Sequence, residues 1–302
     1  MGDRPERIAG VEGVDLEGKR ALVTGSTSGI GRETALALGR LGADVMVHGR
    51  DAAAGRDVVD ELAAMGREAS FRRADFASVG DVRELAAAVE AWTDDLDILH
   101  NNAGGLFREG RLTDLGVEYT FHVNHLAPYL LTAELLPTLA DDARIVTTSS
   151  GAHRGVDLAF ESIRSVDSYS GFRAYQRSKL ANVLFSNELA RRLDHAGRSI
   201  TSNAFHPGAI PGSGFARFLP GPLPRLFAAL GRLPMAATVE DGAATAVYLA
   251  AAPRVADVSG RYFTDCEPEP PSTAAQDRTT QRRLWDESAR LLEIDEPLAD
   301  DA

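Results

Sequence analysis

Residues 24–31 have the sequence Thr24-Gly25-Ser26-Thr27-Ser28-Gly29-Ile30-Gly31, and they lie between a short β-rich run, Arg20–Thr24, and a helical pattern that reaches Gly42. Glycines permit a tight turn and let the backbone come close to a phosphate group. A helix that opens directly after the turn offers unpaired N–H groups and a partial positive charge to such an anion. The stretch therefore predicts a strand, a turn that can hold a pyrophosphate, and a helix.

Strand-like and helix-like segments alternate along most of the chain. Helical patterns occur at about residues 51–65, 79–92, 118–139 and 169–196. The other apolar, β-rich runs predict strands, and in order they are Ala43–His48, Glu68–Ala74, Leu96–His100, Ala143–Thr148, Ser199–Phe205 and Gly260–Phe263. Such alternation indicates βαβ units and a parallel sheet with helices on both faces. We predict an α/β, Rossmann-like, doubly wound fold with about seven strands.

The composition narrows the class of protein. The chain has 302 residues, of which 44% are hydrophobic and 25% charged, and its formal charge of −12 disfavours nucleic acid as the main partner. The longest apolar stretch, around Ala243–Ala252, is too short to span a bilayer. The single cysteine, Cys266, excludes an internal disulfide and a cysteine-based zinc cluster, and the seven histidines show no metal-ligand spacing. We expect a cytoplasmic protein with no membrane span, metal or nucleic acid partner.

The glycine-rich turn follows the first strand of an alternating pattern, which indicates a dinucleotide site. A nucleoside triphosphate loop is excluded because the chain reads Gly31-Arg32-Glu33 and lacks Gly-Lys-Ser/Thr there. The second strand ends in His48-Gly49-Arg50-Asp51. NAD sites usually place an acid at that strand tip, whereas an arginine can receive the additional phosphate of NADP. Arg50 therefore favours NADP(H) over NAD(H), with a solvated surface arginine as the alternative, and Asp51 is typical of a helix N-cap.

Tyr175 and Lys179 stand four residues apart in a predicted helix and therefore face the same way. A phenol with a pKa of about 10 is a poor acid–base catalyst near neutral pH. A neighbouring ammonium group favours the phenolate and lowers that pKa. Lys179 is one of two lysines in a chain that otherwise uses arginine, which favours a role for a compact ammonium. We predict an acid–base pair here; a pair on a solvated helix face is the alternative.

Six motifs occur in order along the chain. They are Thr24–Gly31, Asn101-Asn102-Ala103-Gly104, Asn124, Ser149-Ser150, Tyr175-Gln176-Arg177-Ser178-Lys179 and His206-Pro207-Gly208. Over about residues 18–264, this set resembles the short-chain dehydrogenase/reductase superfamily. Further segments resemble its retinol dehydrogenase/WW-domain oxidoreductase branch, namely His122-Val123-Asn124-His125-Leu126, Ser178-Lys179-Leu180-Ala181-Asn182 and Gly260–Cys266 with Leu284-Trp285.

The resemblance implies a catalytic set of Asn124, Ser150, Tyr175 and Lys179. Ser149 is the alternative to Ser150, because neighbouring residues on a strand face opposite ways and only one of the two can face the site. We choose Ser150 because its distance of 25 positions from Tyr175 matches the resembled branch. In reduction, Ser150 would hold the substrate carbonyl and Tyr175 would donate the proton. Lys179 would hold the cofactor ribose. Asn124 would support a proton relay through water and the lysine, with a buried structural amide as the alternative.

The turn and the resemblance together give the candidate cofactor-binding residues. Among them, Asp75 follows the third predicted strand, where it either accepts a hydrogen bond from the adenine amine or caps a turn. The full set is Gly25, Ser26, Ser28, Gly29, Ile30, Gly31, Arg50, Asp75, Phe76, Asn102, Ala103, Gly104, Tyr175, Lys179, Pro207, Gly208 and Ile210.

The segment after His206-Pro207-Gly208 departs from the family pattern. The family commonly places Thr or Ser about four residues further on, where this chain has Gly212, with Ser213 next. Residues of about 209–236 mix proline and glycine with apolar side chains and predict a lid over a pocket. Its apolar side chains indicate either a hydrophobic substrate pocket or the core of a lid helix, and they are Phe215, Phe218, Leu219, Leu223, Leu226 and Phe227.

These observations predict one NAD(P)-binding domain over residues 1–302, with a core at about 18–264 and a C-terminal helical extension at about 274–293. We expect an NADP-preferring oxidoreductase that interconverts a hydrophobic aldehyde or ketone and its alcohol. The alternatives are a double-bond reductase of the same family and an NAD(P)-binding regulatory or scaffold protein without turnover. The expected partner is the small hydrophobic substrate, and the sequence leaves open whether the chain forms a homo-oligomer.

Overall fold

A computed structural model describes residues 3–208, 210 and 237–299. The described residues contain a central sheet of eight strands in the order β3-β2-β1-β4-β5-β6-β7-β8. The strands are β1 Arg20–Val23, β2 Asp44–Gly49, β3 Ala69–Arg73, β4 Leu96–Asn101, β5 Leu139–Thr148, β6 Thr201–His206, β7 Tyr262–Thr264 and β8 Glu267–Pro268. Strands β1 to β7 pair in parallel, and β8 pairs antiparallel with β7.

Helices cover both faces of the sheet. They are α1 Pro5–Ile8, α2 Gly29–Arg40, α3 Ala52–Ala64, α4 Val79–Glu90, α5 Tyr119–Phe121, α6 Ala127–Leu135, α7 Gly171–His195, α8 Val239–Ala251, α9 Thr273–Gln276 and α10 Arg278–Leu292. A π-helical segment, His122–Leu126, joins α5 to α6. One apolar layer packs α4, α6, α7 and α10 against the sheet, and the other packs α2, α3 and α8 against its opposite face. The predicted α/β, doubly wound class is confirmed.

The order of the strands produces a crevice at the carboxyl ends of the central strands. The chain runs outward from β1 to β2 and β3, and then returns to place β4 on the other side of β1. The connections after β1 and β4 therefore leave in opposite directions. In open parallel sheets, ligands bind outside the carboxyl ends of the strands at such a reversal point. The glycine-rich turn lies at that place.

The structure adds detail to the sequence prediction at two places. The sheet has an eighth strand, because a two-residue hairpin arm such as β8 is too short to show a periodic pattern. The helix predicted at 118–139 ends at Leu135, and β5 begins at Leu139. The apolar residues before β5 are compatible with a helix or a strand. In the structure, Leu139 pairs with Leu96 of β4 and therefore belongs to the sheet.

The C-terminal extension packs against α7. The Trp285 ring stacks on Phe185 at 5.9 Å between ring centres and meets Tyr129 edge-on at 5.0 Å. Within the described ranges, no helix is both long and apolar enough to cross a membrane. The predicted lid at about residues 209–236, with its apolar side chains from Phe215 to Phe227, lies outside the described residues except for Ile210.

Candidate active site

Buried side chains hold the turn after β1. Thr24 Oγ1 accepts a hydrogen bond from the Asn102 N–H at 2.9 Å, and Asn102 Nδ2 donates to the Thr24 carbonyl at 2.8 Å. Ser26 Oγ donates to the Val23 carbonyl at 2.6 Å and accepts the His48 N–H at 3.1 Å. These bonds join the turn to β2 and β4. Ser26 and Asn102 therefore support the shape of the turn from behind.

The turn has the space and the polarity that a pyrophosphate requires. A Cβ at Gly31 would lie 2.5 Å from the Gly25 carbonyl oxygen and closer still to Asn102 Nδ2, so glycine is needed there. Gly29 has φ of 58°, and a Cβ on it would meet nothing within 4 Å among the described residues. Among the described residues, the Ser28 side chain makes no capping hydrogen bond to the start of α2, and the first turn of α2 contains no acidic residue. The N–H groups and the dipole of α2 therefore suit an anion.

A cleft of about 540 Å³ runs along the carboxyl ends of β1, β2, β4, β5 and β6. It brings together most of the candidate residues, which are Gly25, Ser28, Gly29, Ile30, Gly31, Arg50, Asp75, Phe76, Asn102, Ala103, Gly104, Ser150, Tyr175, Lys179, Pro207, Gly208 and Ile210. Among the described residues, Ser26 and Asn124 are the two candidates outside the cleft wall. The residues of the wall thus fit an extended dinucleotide with the glycine-rich turn near its middle.

His48 also lines the cleft, although no sequence motif singled it out as a site residue. Its Nδ1 accepts the Gly25 N–H at 3.2 Å, and its Nε2 lies 3.2 Å from the Ala74 carbonyl oxygen. A backbone N–H only donates and a carbonyl only accepts, so the proton sits on Nε2. Burial lowers the pKa of His48 to about 4, which keeps the ring neutral. The sequence signal that could have identified His48 as a site residue is its position at the carboxyl end of β2, where ligands bind in such sheets.

The outer half of the cleft carries the candidate residues for the adenosine end of the cofactor. Arg50 is exposed at the cleft edge. The Asp51 carboxylate accepts hydrogen bonds from the first turn of α3 at 3.0 and 3.1 Å, which confirms the predicted N-cap. Asp75 Oδ1 accepts the Ala77 N–H at 3.0 Å, so this residue caps a turn and also lines the cleft. The Phe76 ring stacks on His48, with ring centres 4.6 Å apart.

The two serines at the end of β5 have different surroundings. Ser149 is buried, and its Oγ donates to the Lys179 carbonyl at 2.7 Å. Ser150 Oγ accepts the Ala152 N–H at 3.2 Å, and its side chain lines the cleft together with Tyr175. Ser149 therefore anchors β5 to α7. The geometry favours Ser150 as the serine that works with Tyr175.

Burial governs the pKa values of Tyr175 and Lys179. It raises the pKa of the Tyr175 phenol, and the polar side chain of Ser150 opposes this only in part. The expected fall in the pKa of Tyr175 is therefore wrong, because loss of hydration outweighs the effect of neighbours. Lys179 Nζ donates to the Thr148 carbonyl at 2.9 Å and lies 5.8 Å from the centre of the Tyr175 ring. Burial lowers the pKa of Lys179 to about 8.

Asn124 sits in the π-helical segment behind the cleft. Its Oδ1 accepts the Gly105 N–H at 2.9 Å, and its Nδ2 donates to the Gly105 carbonyl and to Ser178 Oγ, each at 2.9 Å. A Cβ at Gly104 would lie 2.8 Å from this Oδ1. The side chain of Asn124 therefore holds the cleft wall and α7 together.

The cleft wall next to Tyr175 includes apolar side chains. Leu106, Phe107 and Val123 contribute to it. The Phe107 ring meets Tyr119 edge-on at 4.8 Å, and the Tyr169 hydroxyl donates to the Phe107 carbonyl at 2.8 Å. These contacts fix an apolar surface in the wall of the cleft that also contains Ser150 and Tyr175. The arrangement can hold a polar carbonyl at one point and a hydrophobic body around it.

Comparison with known proteins agrees with this geometry. The family model described as short chain dehydrogenase matches residues 19–218. The chain therefore belongs to the short-chain dehydrogenase family. Its members are oxidoreductases that act on CH–OH or C=O groups and bind NAD(P), so the predicted enzyme class is confirmed.

Relatives in this family are similar over most of their length. Human retinol dehydrogenase 14 is 38% identical over 314 residues, which cover 97% of this chain and 92% of that protein. Mouse polyprenol dehydrogenase is 39% identical over 282 residues, which cover 91% and 84%. The crystal structure of a short chain dehydrogenase from Burkholderia cenocepacia J2315 in complex with NADP has a TM-score of 0.67 and 29% identity, covering 87% of this chain and 99% of that one. The predicted retinol dehydrogenase-like branch is confirmed.

Proposed function

We propose that the chain is an NADP-preferring oxidoreductase that interconverts a hydrophobic aldehyde or ketone and its alcohol, with Tyr175 as the acid and base. The observation that carries the proposal is the placement of Ser150, Tyr175 and Lys179 in the wall of one dinucleotide-sized cleft, with Lys179 Nζ 5.8 Å from the centre of the Tyr175 ring. The nicotinamide cofactor, when bound, supplies or accepts the hydride.

Each polar side chain at the inner end of the cleft has a distinct role in this proposal. The Ser150 hydroxyl donates a hydrogen bond to the carbonyl oxygen and holds it against Tyr175. The raised pKa of Tyr175 keeps its proton at neutral pH, which suits a proton donor in the reducing direction. The Lys179 ammonium is charged at neutral pH and donates to the ribose hydroxyls of the cofactor.

The preference for NADP rests on Arg50. It lines the cleft at the end of β2, where no acid stands in its place, and its guanidinium suits a bidentate pair with a phosphate. The NADP-bound structure from Burkholderia cenocepacia shows that this cofactor occurs among proteins of similar fold. Asp75 and Phe76, further along the wall, are proposed to contact the adenine.

The hydrophobic character of the substrate rests on the apolar wall formed by Leu106, Phe107 and Val123. The relatives named retinol dehydrogenase 14 and polyprenol dehydrogenase carry names of large apolar alcohols, which supports the same substrate class. We also propose that residues 1–302 act as one NAD(P)-binding domain, with about 209–236 as the lid, and that the protein works in the cytoplasm.

Fluorescence titration with NADPH and with NADH tests the cofactor assignment without a known substrate. We expect NADPH to bind more tightly, and consumption of NADPH with long-chain aldehydes and apolar ketones to exceed that with short polar carbonyls. Preference for NADH would overturn the role of Arg50. Binding without turnover of any carbonyl would favour the regulatory alternative, and reduction of a conjugated double bond alone would favour the double-bond reductase.

A further inference from the structure

Ser150 is followed by a 3₁₀ turn, Gly151–His153, which brings a buried histidine back against the serine. His153 is 0% exposed. Its Nδ1 lies 2.7 Å from the Ser150 carbonyl oxygen, and its Nε2 accepts the Ser272 N–H at 3.1 Å. Because a backbone N–H can only donate, Nε2 is unprotonated, and the proton must sit on Nδ1 and be donated to Ser150. The two partners thus specify one neutral form of the ring.

A segment near the C-terminus holds the outer side of this ring, and residues 267–272 are termed the C-terminal strap. The Arg154 guanidinium donates to Glu269 Oε1 at 2.7 Å and to the Pro270 carbonyl at 2.8 Å. Thr264 Oγ1 donates to Glu269 Oε2 at 2.7 Å, which joins the strap to the end of β7. The strap therefore sets the place of the Ser272 N–H to which His153 is bonded.

The same histidine is enclosed by an aromatic ring of β7. Tyr262 packs against it with ring centres 4.9 Å apart and an interplanar angle of 58°. The charged or titratable groups close to His153 are Arg154, His206 and Glu269. Burial lowers the pKa of His153, in agreement with a neutral ring. Among the described residues, the wall of the cleft does not include His153, and the hydrogen bond from its ring toward the site goes to Ser150.

We propose that His153 is a positioning residue: through its Nδ1–H bond to the Ser150 carbonyl, it holds the serine backbone so that Ser150 Oγ meets the Tyr175 hydroxyl, and the C-terminal strap sets the orientation of the ring. This inference rests on the proposed function, because it assumes that Ser150 acts in turnover. A displacement of a catalytic group by about 1 Å can lower the rate about 100-fold. Holding the Ser150 backbone in place therefore keeps its hydroxyl in position for turnover.

Two substitutions distinguish the contribution of His153 Nδ1 from that of Nε2. In His153→Asn, the amide nitrogen takes the place of Nδ1 and can still donate to Ser150. In His153→Gln, the longer side chain places its amide oxygen near Nε2, where it can accept the Ser272 N–H, and loses the side-chain bond to Ser150, while the backbone N–H of residue 153 still donates to the Ser150 carbonyl at 3.1 Å. We expect kcat of His153→Gln to fall by about 10- to 100-fold and that of His153→Asn to stay within about threefold of the wild type. The KM and the Kd for NADPH should change little in both.

Ser150→Ala is measured beside them. Loss of kcat in Ser150→Ala with normal kcat in His153→Gln overturns this inference and leaves the proposed function standing. Normal kcat in Ser150→Ala overturns the role of Ser150 in the proposed function. An equal loss of kcat in His153→Asn and His153→Gln overturns the assignment of the effect to Nδ1.

A spectroscopic measurement on the wild-type protein covers the case in which the variants do not fold. Nitrogen NMR of protein labelled at histidine, combined with an assignment of the His153 ring, reports which nitrogen carries the proton. We expect a neutral ring at neutral pH with the proton on Nδ1. A proton on Nε2, or a doubly protonated ring, overturns the proposal.

Discussion

The side-chain amide of Asn124 forms a matched pair of 2.9 Å hydrogen bonds with the backbone N–H and C=O of Gly105. A third bond leads to Ser178 Oγ, which in turn donates to the Tyr175 carbonyl at 2.8 Å. Asn124 therefore connects the wall of the cleft to the helix turn that carries Tyr175. The Asn124 amide is buried and hydrogen-bonded, and its part in a proton relay stays a prediction.

Asn124→Ala leaves the N–H and C=O of Gly105 without this partner. An unpaired buried polar group costs about 1–3 kcal/mol, and because Gly105 is only half-buried we expect the free energy of unfolding in urea to fall by about that amount. Turnover should fall as well because the cleft wall is released. Asn187→Ala is the matched control, since its amide donates one 3.3 Å bond to Ala275. Equal stability of the two variants would contradict the role given to Asn124.

Gly31→Ala tests the close packing of the glycine-rich turn. The added Cβ would overlap the Gly25 carbonyl and Asn102 Nδ2. Overpacking of this kind costs about 1–3 kcal/mol, and we expect a lower melting temperature together with weaker NADPH binding. In Gly13→Ala, by comparison, the new Cβ would meet nothing within 4 Å among the described residues. If Gly31→Ala binds NADPH as tightly as Gly13→Ala does, the turn is not the pyrophosphate site.

Arg50→Ala tests the cofactor preference. A hydrogen-bonded charge pair contributes about 1.5–3 kcal/mol, so affinity for NADPH should fall by about 10- to 100-fold. Affinity for NADH should stay within about twofold, because NADH lacks the 2′-phosphate. Arg56→Ala removes the same charge from an exposed position of α3 and serves as control. Equal losses for both nucleotides would show that Arg50 does not recognise the phosphate.

The pKa of Lys179 predicts how cofactor affinity depends on pH. That pKa is lowered to about 8, so the ammonium is charged below this value and neutral above it. Because the charged form is the better donor to the ribose hydroxyls, the Kd for NADPH should rise as the pH passes from about 7 to about 10. In Lys179→Met the same titration should be flat. A wild-type Kd that is constant over this range would exclude the ammonium from cofactor binding.

Periodicity and residue type predicted much of the fold. Strands β1 to β4 begin and end within about two residues of their predicted positions, because each is a short apolar run between helical patterns. The end of α6 was missed, because Leu139 is drawn into the sheet by a contact with Leu96 that is distant in sequence. Two residues of β8 leave no pattern to detect.

Candidate site residues that belong to a sequence motif could be predicted. Properties and residues that depend on tertiary contacts could not. Tyr175 and Lys179 lie together in the cleft, as their spacing predicted, but the direction of the pKa shift of Tyr175 follows from burial, which the spacing does not reveal. His48 and His153 act through bonds to Gly25 and Ser150, and those partners become neighbours only in the folded chain.

Turnover by Tyr175→Phe tests the central claim most directly. The variant keeps the aromatic ring in the cleft wall and removes only the hydroxyl. With an apolar aldehyde and NADPH, we predict that kcat falls by about 100- to 10,000-fold, while the Kd for NADPH stays within a few-fold of the wild type. Tyr248→Phe, on α8, should leave both quantities unchanged. Wild-type kcat in Tyr175→Phe would contradict the assignment of Tyr175 as the acid and base.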